Sequence, residues 1–319
     1  MGKKSRKSKK DSPLSPQSIS KGEIFRERIE KINPNILPEL KKRPEFGVRI
    51  NRHLADLEVV EELKREGFDL RPVQWYPYLF TLPMEQRREI LNTSAYTGNK
   101  IYIQSPSSVL SALSLNPQPT DWVLDLAAAP GGKSLIFSEV AEKVSAVEPD
   151  KKRFFRMKRN FKEHKAKNIQ TYNKDGRFIY KSCPGWFDKV FLDAPCSSEA
   201  HIDLEKEGLT WWNLRRIKRF SQLQKELILS AFRSLKPGGT MVYATCTFAP
   251  EENEEVIAHL LEREPSARLV EVEVPISNKM EGITQWEGKN YPDEVKKCCR
   301  ILPSGAYTGF FFAKIEKEK

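Results

Sequence analysis

Between residues 121 and 245 the chain alternates short apolar, β-branched runs with longer segments of helical spacing, and few architectures accommodate that rhythm. "DWVLDL" (121–126) reads as a buried strand, "KSLIFSEVAE" (133–142) as a helix, "VSAVEP" (144–149) as a strand and "KKRFFRMKRNFKEH" (151–164) as a basic helix. The strands "NIQTYN" (168–173) and "WFDKVFLD" (186–193) follow, then the helix "RIKRFSQLQKELILSAFRSL" (216–235), closed by Pro-Gly-Gly, and the strand "TMVYAT" (240–245). Strands separated by helices pair in parallel, so the expected fold class is α/β, a mostly parallel doubly wound sheet covered on both faces. After the helix "EENEEVIAHLLER" (251–263), "ARLVEVEV" (267–274) and "GFFFAKIEK" (309–317), joined by a polar loop, are expected at the far edge of that sheet.

The first hundred residues have a different grain. Residues 1–22 hold seven basic residues and one acid with almost no large apolar side chain, so a disordered basic tail is expected there. Such a run is either a solvating extension or an arm on nucleic acid. From residue 23 to about 100, "GEIFRERIEKI" and "LADLEVVEELKREGF" carry helical spacing and "FGVRIN" alternates as a strand does, which predicts a small α+β module. In "RPVQWYPYLFTLP" (71–83) prolines interrupt aromatics, and an irregular connector packed on the larger domain is expected. Residues 101–319 then form the main domain.

With 319 residues, 39% of them hydrophobic, each unit can bury its own core. No apolar run reaches the ~18 residues that span a bilayer, so a cytoplasmic protein without membrane contact is expected. Five scattered cysteines lack paired spacing and the four histidines lack ligand spacing, which argues against a disulfide framework and against a metal site. The formal charge of +11 favours a polyanionic partner, above all a nucleic acid. Nothing calls for more than a monomer.

Ligands of open α/β sheets bind beyond the carboxyl ends of the strands, so the residues just after each strand matter most. Here they are Asp125 followed by "AAAPGGKS", then Glu148, Asp175, Asp193 and Cys246. Gly131 and Gly132 permit a tight turn and close backbone approach. Glu148 is suited to both hydroxyls of a ribose. The loop lacks the glycine patterns of dinucleotide and phosphate sites. Acids at four strand ends suit a cationic nucleoside, and S-adenosylmethionine is the expected cofactor.

Cysteines stand at two strand mouths, in "DAPCSS" (193–198) and "YATCTFAPEENE" (243–254). Either alone is more often a small buried hydrophobe than a reactive group. Together with "DLAAAPGGKS", "RIN" (49–51), "IQSPSS", "EPDKKR" (148–153) and the closing "RILPSGAYTGFFFAKI", these motifs resemble the Nop/Sun family of RNA (cytosine-5)-methyltransferases over roughly residues 45–316. The resemblance implies a class I, Rossmann-like methyltransferase domain behind an RNA-binding module, acting on rRNA or tRNA. It implies Cys246 as the nucleophile that adds to carbon 6 of cytosine, Cys196 as the thiol that assists release, Asp193 at ring nitrogen 3, and Lys133 as a support for that charge or for a thiolate. It further implies cofactor contacts from Ala127, Ala128, Ala129, Pro130, Gly131, Gly132 and Lys133, a ribose on Glu148 with Arg153 nearby, and Asp175 and Asp193 completing the pocket. An exocyclic-amine methyltransferase would need no thiol beside this strand end, so "DAPCS" argues against it. A noncatalytic RNA-binding factor would not need Cys246, Cys196 and Asp193 intact. Trp211 and Trp212 are expected to pack a helix, and Cys183, Cys298 and Cys299 to be structural.

Overall fold

The structure, a computed structural model, describes residues 20–42, 45–204 and 209–319, so most of the expected basic tail lies outside the described residues. Helix α1 (Lys21–Ile32) opens on a reciprocal cap: Glu23 N–H donates to Ser20 Oγ (3.2 Å) and Ser20 N–H to Glu23 Oε2 (2.7 Å). The helix therefore claims Lys21 and Gly22 from the expected tail. Its apolar stripe, Phe25, Ile29 and Ile32, continues into Ile36 and Leu40 of α2 (Ile36–Leu40) and is buried with Trp212, Ile228 and Ile257 of the main domain. The first of these helices was expected within the small module. An amphipathic stripe carries no address, and this one is taken up by the larger core.

The small module itself is an antiparallel sheet in the order β2-β3-β1-β4, with β1 (Glu45–Ile50), β2 (Arg71–Pro72), β3 (Leu79–Pro83) and β4 (Ile101–Ile103). Around it lie α3 (Glu58–Arg65), α4 (Arg87–Ile90) and α5 (Ser94–Thr97). Val48, Ile50, Val60, Leu63, Leu82 and Ile101 form its core. The 71–83 stretch is thus two strands around a turn rather than an irregular connector throughout. Its rings do pack on the main domain: Trp75 Nε1 donates to Tyr307 at 2.8 Å. Buried Arg49 clamps the module through Glu139 at 2.6 Å, and α6 (Pro106–Leu113) leads into the main sheet.

Among the described residues, that sheet has nine strands. β5 (Trp122–Asp125), β6 (Lys143–Val147), β7 (Ile169–Tyr172), β8 (Phe187–Asp193) and β9 (Leu235–Thr245) run parallel, in the order β9-β8-β5-β6-β7. The period-2 alternation of side chains sorts them between two layers. Leu124, Val190 and Leu192 face the layer of α10 (Leu214–Ser234), while Val123, Phe191 and Val242 face that of α7 (Gly132–Ser138). α8 (Lys151–Glu163) and α9 (Ile179–Ser182) connect β6 to β7 and β7 to β8, and α11 (Glu254–Arg263) follows β9. Beyond β9 the sheet turns antiparallel: β10 (Ala267–Val270) and β14 (Cys299–Ile301) both pair with β15 (Phe310–Lys317), and β11 (Lys279–Glu281) pairs with β14. β12 (Gln285–Trp286) and β13 (Lys289–Asn290) form a separate hairpin. β15 is therefore an interior strand, paired directly with β9, and the polar loop hides β11 to β14. Strands of two or three residues carry too few positions to show a period.

Among the described residues, no helix is long and apolar enough to cross a membrane, and no group of metal-ligating side chains comes together.

Candidate active site

The order β6-β5-β8 reverses the direction of the connections at β5, and a cavity of about 470 Å³ opens there, past the carboxyl ends of β5, β6 and β8. On one wall the β5 strand ends in Asp125, which is buried and accepts from Ser134 Oγ at 2.6 Å; burial pushes its carboxyl up to about 7. The loop after it needs glycine. Gly131 has φ +107°, and a Cβ there would meet the ring of Phe161 at 2.4 Å. At the end of β6, Glu148 is 1% exposed. Its Oε1 accepts from Asp150 N–H at 3.0 Å, and its Oε2 lies 3.3 Å from Arg153 but makes no hydrogen bond. Burial raises its pKa above the usual carboxylate value. Arg153 also donates to the carbonyl of Ala129 at 2.7 Å, tying the glycine loop to α8. Asp175 is gripped by the guanidinium of Arg177 (2.7 Å), which holds its carboxyl below the usual range.

On the other wall stand the two thiols. Cys196, two residues past Ala194 at the mouth of β8, and Cys246, directly after β9, are brought together because β8 and β9 are neighbours in register, Asp193 opposite Ala244. Their sulfurs are 3.3 Å apart, and both are free thiols. The pair titrates asymmetrically. Their contact lowers the Cys246 thiol below its ordinary value, whereas the same contact and burial push Cys196 well above. Lys133 reaches from the first turn of α7 to Asp193 Oδ2 at 2.6 Å, so its charge serves the carboxylate first and the thiol only weakly.

Behind the thiols lies a buried polar lattice built by "PEENE". Glu252 Oε2 accepts from Ser197 N–H and from Gln224 Nε2, each at 2.9 Å, and Gln224 also donates to the Pro195 carbonyl. Burial pushes the Glu252 carboxyl up to about 9, and its Oε1 makes no hydrogen bond. Asn253 accepts from Thr245 Oγ1 (2.6 Å) and donates to the Thr247 carbonyl (3.0 Å) on either side of Cys246. Glu199 accepts from Trp212, Thr247 and Phe248, which locks the 197–201 turn to the 246–248 turn. Glu254 forms a two-pronged pair with Arg300 of β14 at 2.7 and 2.6 Å, fully buried. Charges this deep persist because every prong is matched.

Of the residues singled out from sequence, Ala127, Ala129, Glu148, Arg153, Asp175, Asp193, Cys196 and Cys246 line this one cavity. Ala128 and Gly132 are buried behind the loop, Pro130 lines a neighbouring groove, and Lys133 enters through Asp193. Trp212 is 1% exposed and packs edge-on to Phe25, a helix contact as expected. Sequence reasoning missed Arg177, Ser198, Glu199, Gln224 and Glu252. The signal for Glu252 was present: acids crowded directly after an apolar strand and a cysteine are read as a solvated helix start, but such crowding also suits a buried, fully bonded turn.

Comparison with known proteins adds to this geometry. Residues 112–316 match the family described as 16S rRNA methyltransferase RsmB/F. The chain is 33% identical over 316 residues to the tRNA (cytosine(49)-C(5))-methyltransferase of Pyrococcus abyssi, covering 92% of this chain and 99% of that protein. It is also 33% identical to the ribosomal RNA small subunit methyltransferase F of Vibrio campbellii, over 75% of this chain but 53% of that protein, so it spans only about half of that relative. A methyltransferase homologue from Pyrococcus horikoshii superimposes with a TM-score of 0.80 at 27% identity, covering 92% of this chain and 95% of that one.

Proposed function

We propose, from the premise that this chain belongs to the RsmB/F methyltransferase family, that it methylates carbon 5 of cytosine in RNA through a transient bond between Cys246 and the base. As a member of that family it is an RNA (cytosine-5)-methyltransferase, and its cofactor is S-adenosylmethionine. The cofactor, when bound, supplies an electrophilic methyl group on a sulfonium. The cavity fits it: the unbonded, buried Oε2 of Glu148 is an acceptor awaiting a hydroxyl donor, and Gly131 keeps the loop wall free of a side chain. Glu148 would hold the ribose diol, and Ala127, Ala129, Arg153 and Asp175 would frame the nucleoside.

The 3.3 Å pair of unequal thiols beside the Lys133–Asp193 pair is the observation that carries this reading. Carbon 5 of cytosine is a poor nucleophile until a thiolate adds at carbon 6. Cys246, the thiol with the lowered pKa, is suited to that addition. As its Sγ bonds to carbon 6, the C5–C6 π pair shifts to C4–C5 and the C4–N3 π pair to nitrogen 3, where the Lys133–Asp193 pair can supply and steady a proton. Carbon 5 of this enamine would then bond the methyl group, while the pair of the broken methyl–sulfur bond stays on sulfur. Release is an elimination: carbon 5 gives up its remaining hydrogen as a proton to a base, the C5–H pair re-forms the C5–C6 double bond, the C6–Sγ pair returns to Cys246, and nitrogen 3 returns its proton to the Lys133–Asp193 pair. Cys196 stays protonated and donates to the sulfur that leaves, which suits it to assist release.

The RNA is ribosomal or transfer RNA, the substrates that the relatives' names divide between them. Incubation with total RNA and labelled donor, followed by mapping of 5-methylcytosine, tests the reaction and names the target. Cys246→Ala should abolish methylation and any crosslink, while Cys196→Ala should accumulate a protein–RNA adduct that survives denaturing electrophoresis. A stable adduct from Cys246→Ala alone would exchange the two roles.

A further inference from the structure

A second groove, of about 640 Å³, runs between α8 and the small module, separate from the cofactor cavity but sharing a wall with it. Pro130, in the cofactor loop, lines the groove, and Asn160 of α8 holds the Pro130 carbonyl at 2.9 Å and faces the Tyr102 hydroxyl at 3.3 Å. On the rim, Arg156 and Arg159 project from α8, and Tyr96 of α5 stands 37% exposed opposite them. The helix carries seven basic residues against one acid, Glu163. Among the described residues, Lys151, Lys152, Arg156, Lys158 and Lys162 have no carboxylate partner, and Arg159 is tied only to exposed Glu163. Phe155, on the same helix, is 64% exposed. A folded domain gains nothing from an unpaired basic helix beside bare rings, whereas a nucleic acid strand does: phosphates take the charges and bases take the ring faces.

We propose that this groove binds single-stranded RNA next to the target cytosine, with a base stacked on Tyr96 and its phosphates held by Arg156 and Arg159. The assignment rests on RNA being the substrate. It favours an unpaired strand because rings read bases that are already unstacked, and the groove adjoins the cavity that must receive the target base across the loop, where Ala129 lines the cavity and Pro130 the groove. An acidic membrane surface would meet the same charge but has no use for a ring inside a groove.

The test uses the full chain and a fluorescein-labelled single-stranded polycytidylate probe, with binding followed across salt concentrations. Arg156→Ala/Arg159→Ala should flatten the dependence of log affinity on log salt by about 1 to 1.5, at roughly 0.7 for each phosphate no longer neutralised. Tyr96→Ala should weaken binding about 5- to 150-fold without changing the slope, and Tyr96→Phe should restore it. S-adenosylmethionine affinity should be unchanged in all of these exposed-residue variants, which certifies the fold. Unchanged probe affinity and slope in both alanine variants would overturn the groove assignment even where the wild type makes 5-methylcytosine. Binding to phosphatidylserine vesicles in place of the probe would overturn it too. Absence of 5-methylcytosine with the variant pattern intact would instead overturn the reaction and leave the groove standing.

Discussion

Glu148 has a buried oxygen without a hydrogen bond, and Cys246 a thiol held toward ionisation by its neighbour. Glu148→Ala should weaken S-adenosylmethionine binding by about 1 to 3 kcal/mol, the range for a buried charge-assisted hydrogen bond, and leave RNA affinity intact in calorimetry. The thiols make a pH prediction. Because the Cys196 hydrogen bond is the largest cause of the lowered Cys246 pKa, Cys246 alkylation should rise with pH through a limb below that of an ordinary cysteine. In Cys196→Ala that limb should move to higher pH, read by iodoacetamide labelling located by mass spectrometry; an unmoved limb would mean that the pair is not coupled. The sequence shows both cysteines and the acids at the strand ends, since each follows an apolar run. It does not show the 3.3 Å between the sulfurs, because that depends on β8 and β9 being neighbours in a register that no local pattern contains.

The turn after β9 behaves as one piece of machinery, and its cost is visible in Glu252. A carboxyl whose folded pKa is near 9 binds its proton more tightly folded than unfolded, so between about pH 4.5 and 9 the folded state loses stability as pH rises. The slope can reach about 1.4 kcal/mol per pH unit from this group alone. Glu252→Gln, which mimics the neutral acid and keeps the acceptor for Ser197 and Gln224, should flatten that decline in urea unfolding across the same range. A decline of unchanged steepness would place the titrating group elsewhere. Arg300→Ala should be far more damaging, by about 3 to 5 kcal/mol, since it strands Glu254 as an unpaired buried charge. Linear reading finds α10 and β9 because they are long and periodic. It misses this turn because a network that closes through Ser197, Gln224, Trp212 and Arg300 draws each member from a different element.

At the scale of the molecule, the parallel half of the sheet was legible, and the antiparallel half only in β10 and β15. β5 to β9 announce themselves by apolar runs and helical spacers, whereas β11 to β14 are only two or three residues long, and β15 alone looks like an edge. Its true position has a consequence for how the protein is made. β15 pairs Phe311 with Thr245, the residue before Cys246, and Phe312 with Ala244, yet it is synthesised after every residue that lines the cavity. Until it emerges, β9 is a bare apolar edge, open to pairing with another chain, and long-range closure of this kind is slow. A chain shortened before Phe310 should therefore collect in inclusion bodies, and any soluble fraction should have a Cys246 that labels like a thiol in an unfolded peptide. The thiol pair is in this sense finished from outside, and a nascent chain carries Cys246 without its proposed reactivity until that strand arrives.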